Sequence, residues 1–320
     1  MNQSLSEDLE YNCTHAKKTE SFSEALGLLK KKIVLRGDLP HVTCARQLEV
    51  LEELCEFPLG RFILERRGAN GFWTDYMIAH PAHGKVSGLN IEGKPFGWLE
   101  NWFLNECPIV VAHQERFQIF QKLAQGLLRD HMVLASIPCG LMRDLITLDF
   151  SEKRGTHLIG VDIDPESLAL AEQFAREKNI PNTHFIRANA WDLSFSNEID
   201  LITSSGLNVY ESDPEKVLKL YSRFFDALRP GGFLITSVLT FPPGGDRKTD
   251  WKTENISPET LCLDKVLHQD ILDIKWRNFR SIPELKRELK WVGFSNVSVH
   301  FDAHRIFPTI LAQKPGICSG

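Results

Sequence analysis

Four short stretches place polar or small residues where the chain changes direction. "MVLASIPCGLMRDLI" (132–146) opens as a buried strand and closes with a helical pattern, with Ser136, Pro138, Cys139 and Gly140 between. A strand that turns tightly into a helix aims backbone N–H groups at whatever lies above it, and a glycine there permits close approach. "LIGVDIDPESLALA" puts Asp162 at the end of the next strand, 22 residues beyond Gly140. That is the interval at which a ribose-binding carboxylate follows the turn in βαβ nucleotide sites. Ile163 follows it, and Asp164-Pro165 reads more plainly as a helix cap and a first-turn proline. "FIRANAWDL" sets Asn189, Ala190 and Trp191 just past a third strand. The amide oxygen can accept from an adenine amino group, and the indole can flank the ring. "DLITSSGLNVYESD" ends a fourth strand on Ser204, Ser205 and Gly206, small residues that leave room for a ligand. Each stretch alone is an ordinary core connection; in register they describe a nucleoside site.

Groups for proton transfer are few. His80 and His83 in "IAHPAHG" have the near-neutral pKa of a general base, although a histidine before proline also suits a surface turn. His113 lies on a helical face ahead of the first strand. Tyr210 and Glu211 lie just beyond the fourth strand. "GANGFWTDY" and "FGWLENWF" could wall an apolar pocket or pack between helices. No His/Asp/Glu cluster shows a metal-binding spacing, so no metal is expected.

The elements that must position these residues fall into two rhythms. Residues 1–20 are polar and read as a disordered tail, and 21–107 carry helical periodicity. "VTCARQLEVLEELCEF" has an apolar stripe with Thr43 as its cap, "LGRFILERRG" is stopped by Gly68, and "NGFWTDYMIAHPAHG" is interrupted at Pro81. From 108 to 320 strand candidates alternate with helices, the pattern of a parallel sheet covered on both faces. Pro230, Gly231 and Gly232 are expected to stop the helix before the fifth strand. The polar segment 241–280 interrupts the alternation as a lid-like insertion. "SNVSVHF" and "RIFPTILAQ", separated by Asp302-Ala303-His304, form a closing antiparallel hairpin.

The totals narrow the class. The chain has 320 residues, 42% of them hydrophobic, and a formal net charge of -5, which disfavours capture of nucleic-acid backbones. Seven scattered cysteines without a Cys-x-x-Cys pair suit a reducing compartment. No apolar core marks the amino terminus as a secretory signal, and no run is long enough to span a membrane. These features imply a cytoplasmic protein and leave homo-oligomerisation open.

These residues resemble the class I S-adenosylmethionine-dependent methyltransferases over about 108–320. "VLASIPCGLM" is similar to that family's first motif, with Ser136 at its acidic position and Pro138 and Met142 at two of its glycines. "GVDIDPESLALA" resembles the second motif, "ANA" the turn near adenine, and "RFFDALRPGGFLITSVL" the helix, turn and fifth strand. The resemblance implies a doubly wound, mostly parallel seven-stranded α/β sheet, Rossmann-like, with an antiparallel last strand and a helical amino-terminal cap. It implies S-adenosylmethionine as cofactor and S-adenosylhomocysteine as product. The cofactor-binding set is then Ser136, Pro138, Cys139, Gly140, Asp162, Ile163, Asn189, Ala190, Trp191, Ser204 and Ser205; catalytic candidates are His80, His83 and Tyr210. The acceptor is read as a small organic molecule. A non-catalytic regulatory or cofactor-sensing module is the alternative, and a nicotinamide dehydrogenase is disfavoured by the single-glycine turn and the final hairpin.

Overall fold

The computed structural model describes residues 22–245, 247–274 and 278–316; the polar amino-terminal stretch, Cys13 and Cys318 lie outside these. The described residues divide into two compact units: a sheet unit of 115–251 and 278–316, and a helical unit of 22–114 and 252–274.

The sheet unit is built on seven strands among the described residues: β1 (Val133–Ser136), β2 (His157–Asp162), β3 (Thr183–Arg187), β4 (Ile199–Ser204), β5 (Leu228–Ser237), β6 (Ser295–His300) and β7 (Thr309–Gln313). Their order is β3-β2-β1-β4-β5-β7-β6. The first five pair in parallel, and β7 runs antiparallel between β5 and β6. This is the doubly wound α/β architecture that the strand–helix alternation implies.

Successive side chains of a strand face opposite ways, so a sheet covered on both faces needs near-continuous apolar strands. Val161, Leu234, Ile310 and Ala312 enter one core with Val217, Leu220, Tyr221 and Phe224 of the helix Pro214–Ala227 and Leu285 and Leu289 of Ile282–Val292. Leu158 and Ile235, of opposite parity, enter the other with Phe120 and Ala124 of Pro108–Leu127 and Ala171 and Ala175 of Pro165–Glu177. The winding reverses between β1 and β4, and that reversal opens a crevice at their carboxyl ends.

Local corrections have identifiable causes. The helix Pro214–Ala227 ends before Pro230-Gly231-Gly232, which lie inside β5. These glycines serve a β-irregularity rather than a helix stop: the pairing register shifts between Ile199 and Leu201. A Cβ on Gly232 would stand 2.9 Å from the Arg229 carbonyl and 3.1 Å from that of Asp200. "LMRDLITL" holds only one helical turn, Arg143–Ile146. The closing hairpin has a longer connection than three residues, because β7 starts at Thr309; Asp302 organises it by accepting the N–H groups of Ile306 and Phe307.

The helical unit contains the helices Phe22–Arg36, Cys44–Cys55, Pro58–Arg66, Gly71–Ala79 and Trp98–Asn105, with Pro258–Lys265 and a π-helical stretch Val266–Ile271 from the later segment. Leu51, Leu54, Leu59, Leu99, Leu104 and Leu267 fill its core. Thr43 caps its helix by accepting the Arg46 N–H. Arg67, not Gly68, takes the left-handed position that ends Pro58–Arg66. Pro81 falls within a 3-10 turn, His80–Ala82, where a missing N–H costs nothing. No helix among the described residues is long and apolar enough to cross a membrane.

Candidate functional site

The turn after β1 is stitched to both neighbouring strands. Ile137 N–H donates to the Thr203 carbonyl of β4, and Cys139 N–H to the Val161 carbonyl of β2. Gly140, in the left-handed region, donates its N–H to Asp162 Oδ2 at 2.9 Å. Asp162 Oδ1 accepts the Asp164 N–H at 3.0 Å. An ionised carboxylate offers about four acceptor sites, so capacity remains for a ligand. Burial pushes the Asp162 carboxyl above its ordinary pKa, the backbone N–H groups of Asp164, Gly140 and Ile163 oppose that, and the neighbouring Asp164 charge adds to it. Asp164 itself caps the helix Pro165–Glu177.

Met142 occupies a position with φ 56, which accounts for a glycine in the motif it resembles. Its side chain is fully buried, and Gly160 of β2 makes the space: a Cβ there would approach Met142 Sδ to 3.1 Å and Phe185 to 2.6 Å. Ser136 also has a partner that the sequence reading missed. Its hydroxyl donates to the Asp144 carboxylate at 3.1 Å, and Thr203 of β4 donates to the same carboxylate at 2.5 Å. Burial raises the Asp144 pKa, and the two hydroxyls lower it. An acidic group therefore does stand beneath the end of β1, supplied from eight residues downstream. Its one sequence signal is that Asp144 is the first carboxylate after Ser136.

At the end of β3, Ala188 N–H donates to the Asp162 carbonyl, which draws Asn189 beside the β2 end. Asn189 Oδ1 accepts the Trp191 N–H at 3.0 Å, capping a 3-10 turn. Ala190 is buried; the Trp191 indole lies in the core and donates Nε1–H to the Lys216 carbonyl at 2.9 Å. Its ring packs against structure rather than standing open as a flank. The half-buried Ile163 gives its carbonyl to Arg187. Ser204 is buried at the end of β4, and Ser205 is exposed.

Beyond β4, Gly206 (φ 104) opens a 3-10 turn that ends on Tyr210. Asn208 donates to the Tyr221 hydroxyl and the Ser237 carbonyl, while its own Oδ1 is buried with no partner. Arg116 stands in the same corner. It is 5% exposed and donates Nη1–H to Ser237 Oγ at 3.1 Å. Its guanidinium also lies 4.5 Å from the Phe307 ring centre. Burial pushes its pKa down to about 10, and Tyr210 and Asp302 draw it back up. The cation–π contact supplies about 0.5–2 kcal/mol. Desolvating a charge costs several, so the ring does not balance the ion. Arg116 has its own sequence signal: it shares an i, i+4 line with the buried Phe120 and Ala124.

His80 and His83 belong to the helical unit. His80 is buried, its Nε2 paired with Asn105 at 3.1 Å and its ring edge-on to Phe96; burial lowers its pKa and the Asn105 contact opposes that. His83 is exposed. Of the aromatic stretches, Trp102 and Phe103 are buried, and Trp73 packs edge-on with Phe72 and Tyr76. Cys107, Asp264 and His268 of this unit bring ligand-type atoms within 4.8 Å of one another. The thiol and the imidazole each lie 3.2 Å from the Asp264 carboxylate, a grouping that the spacing of these residues along the chain does not announce.

A family model described as a methyltransferase domain matches residues 139–232, the stretch from the β1 turn to the glycines of β5. A possible exported protein from Bordetella parapertussis is 35% identical, with a TM-score of 0.84 over 93% of this chain and 98% of that one. Residues 139–232 are thus similar to a methyltransferase domain, on a sheet of doubly wound order. More distant are phosphoethanolamine N-methyltransferase 2 of Haemonchus contortus in complex with S-adenosyl-L-methionine (16% identity, TM-score 0.48, 67% of this chain and 56% of that one) and a SAM-dependent methyltransferase from Aquifex aeolicus (15%, 0.43, 61% and 89%). No curated protein matches the sequence. The turn after β1, Asp162 and the β3 end thus converge at one sheet edge.

Proposed function

We propose that the carboxyl edge of β1, β2 and β4 grips S-adenosylmethionine and that its methyl group passes to a small organic acceptor. The observation that carries this is Asp162: a buried carboxylate, oriented by the N–H groups of Gly140 and Asp164, with acceptor sites left for a ribose diol. The residues present fit the cofactor. Asp162 would hold the sugar, Gly140 would let it lie against the turn, and Asn189 with Ala190 would border the base. Ser136, locked to Asp144, and Ser204 would face the methionyl end. The donor, when bound, supplies an electrophilic methyl. This chain's residues then contribute mainly alignment, since in-line displacement gains most of its acceleration from positioning. Tyr210 is the acceptor-side contact of this proposal. The free cysteines among the described residues, two buried and three partly buried, suit a reducing cytoplasm.

The test is calorimetry with S-adenosylhomocysteine on the wild type and Asp162→Ala, followed by label transfer from the donor to a metabolite extract. Affinity that survives the substitution defeats the site. Label on protein or RNA alone defeats the acceptor class. Binding without transfer to any acceptor favours the sensing module, a reading that the substituted first motif keeps in play.

A further inference from the structure

The proposed donor site leaves one charge of the sheet unit unexplained. Arg116 is buried at the carboxyl ends of β4 and β5, where Ser237 closes β5 and Gly206 follows β4. A Cβ on Gly206 would lie 3.7 Å from its Nη1, so the loop passes directly over the guanidinium. A guanidinium carries five N–H donors in a fork shaped for a carboxylate. Its one hydrogen-bond partner among the described residues is the neutral hydroxyl of Ser237.

The neighbouring carboxylates are committed elsewhere. Asp302 accepts the N–H groups of Ile306 and Phe307. Glu211 is held by Lys216 and the Asp213 N–H. Neither forms an ion pair with Arg116. Proteins pair the charges they bury; this cation directly faces a hydroxyl and an aromatic ring, feels Asp302 only at longer range, and has no carboxylate in hydrogen-bond contact among the described residues.

Position indicates what the anion belongs to. Strands lie about 4.8 Å apart, so the corner is one to two strand spacings from the turn after β1 and farther still from Asp162. The nucleoside would occupy β2 and β1. Arg116 lies on the far side, where the methyl acceptor and the tail of the donor would meet.

We propose that Arg116 anchors a carboxylate of the bound small molecules, with Tyr210 bordering the same corner, so that the acceptor of this methyltransferase is an organic acid. This rests on the proposed donor site. A carboxylate of the donor's methionyl end has the same chemistry, and the experiment separates the two sources.

Full-length wild type, Arg116→Met and Arg116→Lys are titrated with S-adenosylhomocysteine and with 5′-methylthioadenosine, the same nucleoside without a carboxylate. Each protein, with and without saturating S-adenosylhomocysteine, is then titrated with acetate and with its uncharged counterpart acetamide. The expected result is that acetate binds the loaded wild type and acetamide does not. Acetate affinity falls about tenfold or more in Arg116→Met and is partly kept in Arg116→Lys, with both nucleosides bound as in the wild type. A loss confined to S-adenosylhomocysteine in Arg116→Met would assign the anchor to the donor's own carboxylate. Equal behaviour of wild type and Arg116→Met toward every ligand would overturn the proposal. So would wild type that does not distinguish acetate from acetamide and binds both nucleosides equally, a result that needs no variant to fold. If wild type binds neither nucleoside, the donor site fails by itself, and the acetate series without nucleoside still tests Arg116.

Discussion

Asp162 and Arg116 are both buried charges at the same edge of the same sheet, yet the protein treats them differently. Asp162 is held by backbone N–H groups from its own turn and from the turn after β1. Those donors sit close by construction, since β1 and β2 are paired neighbours. Arg116 reaches its corner from a helix ahead of the sheet and meets a single hydroxyl. The first charge is integrated into the fold, and the proposed ligand would add to it. The second is within electrostatic reach of Asp302 but has no ion-paired carboxylate among the described residues, and the proposed ligand would complete it. Burial alone therefore does not separate structural from functional charges; the satisfaction of their partners does.

The difference can be broken most forcefully at the nucleoside. Asp162→Ala removes a charged acceptor from the proposed ribose contact, and S-adenosylhomocysteine affinity should fall about 100-fold, since hydrogen bonds to charged groups contribute about 1.5–3 kcal/mol each. Calorimetry reads this, and an undiminished affinity would show that the carboxylate serves the turn alone. Titration should expose the same group. Its raised pKa means that protonation in the folded core begins above the ordinary value of 3.8, so nucleoside affinity should weaken by up to about tenfold per pH unit once pH drops below that raised value. The linked stability runs the other way. This carboxyl's contribution is complete below 3.8 and is lost as pH rises through its folded pKa, a dependence that Asp162→Asn should remove.

Stability sharpens the contrast further. Asp162→Asn leaves Gly140 or Asp164 facing an amide N–H, and urea unfolding should show a loss of about 1–3 kcal/mol. Gly160→Ala should lose a comparable 1–3 kcal/mol by crowding Phe185 and Met142, reporting on the turn without touching a charge. Arg116→Met should cost the least: it removes an unbalanced ion from the interior, so stability should stay within about 1 kcal/mol of wild type or rise. A loss as large as that of Asp162→Asn would mean that Arg116 holds the fold together and would erase the distinction.

What the sequence by itself determined was local or periodic. Alternating apolar runs specified a covered parallel sheet, because only buried strands tolerate such composition. The 22-residue interval from Gly140 to Asp162 spans one helix and one strand, so that pairing was legible from chain geometry. Asp164 and Thr43 were readable as caps because a cap acts within three residues. Tertiary structure alone decided the rest. Asp144 beneath Ser136 depends on how a one-turn helix folds back against β1 and β4, and Met142 is tolerated because Gly160 on another strand leaves it space. Trp191 turned into the core because a carbonyl 25 residues away accepts its N–H. Arg116 meets Ser237 across 121 residues, a separation that no spacing rule reaches. The physical reason is common to all four: a side chain's electrostatic surroundings are set by strands and helices distant in sequence, which come together only when the sheet closes.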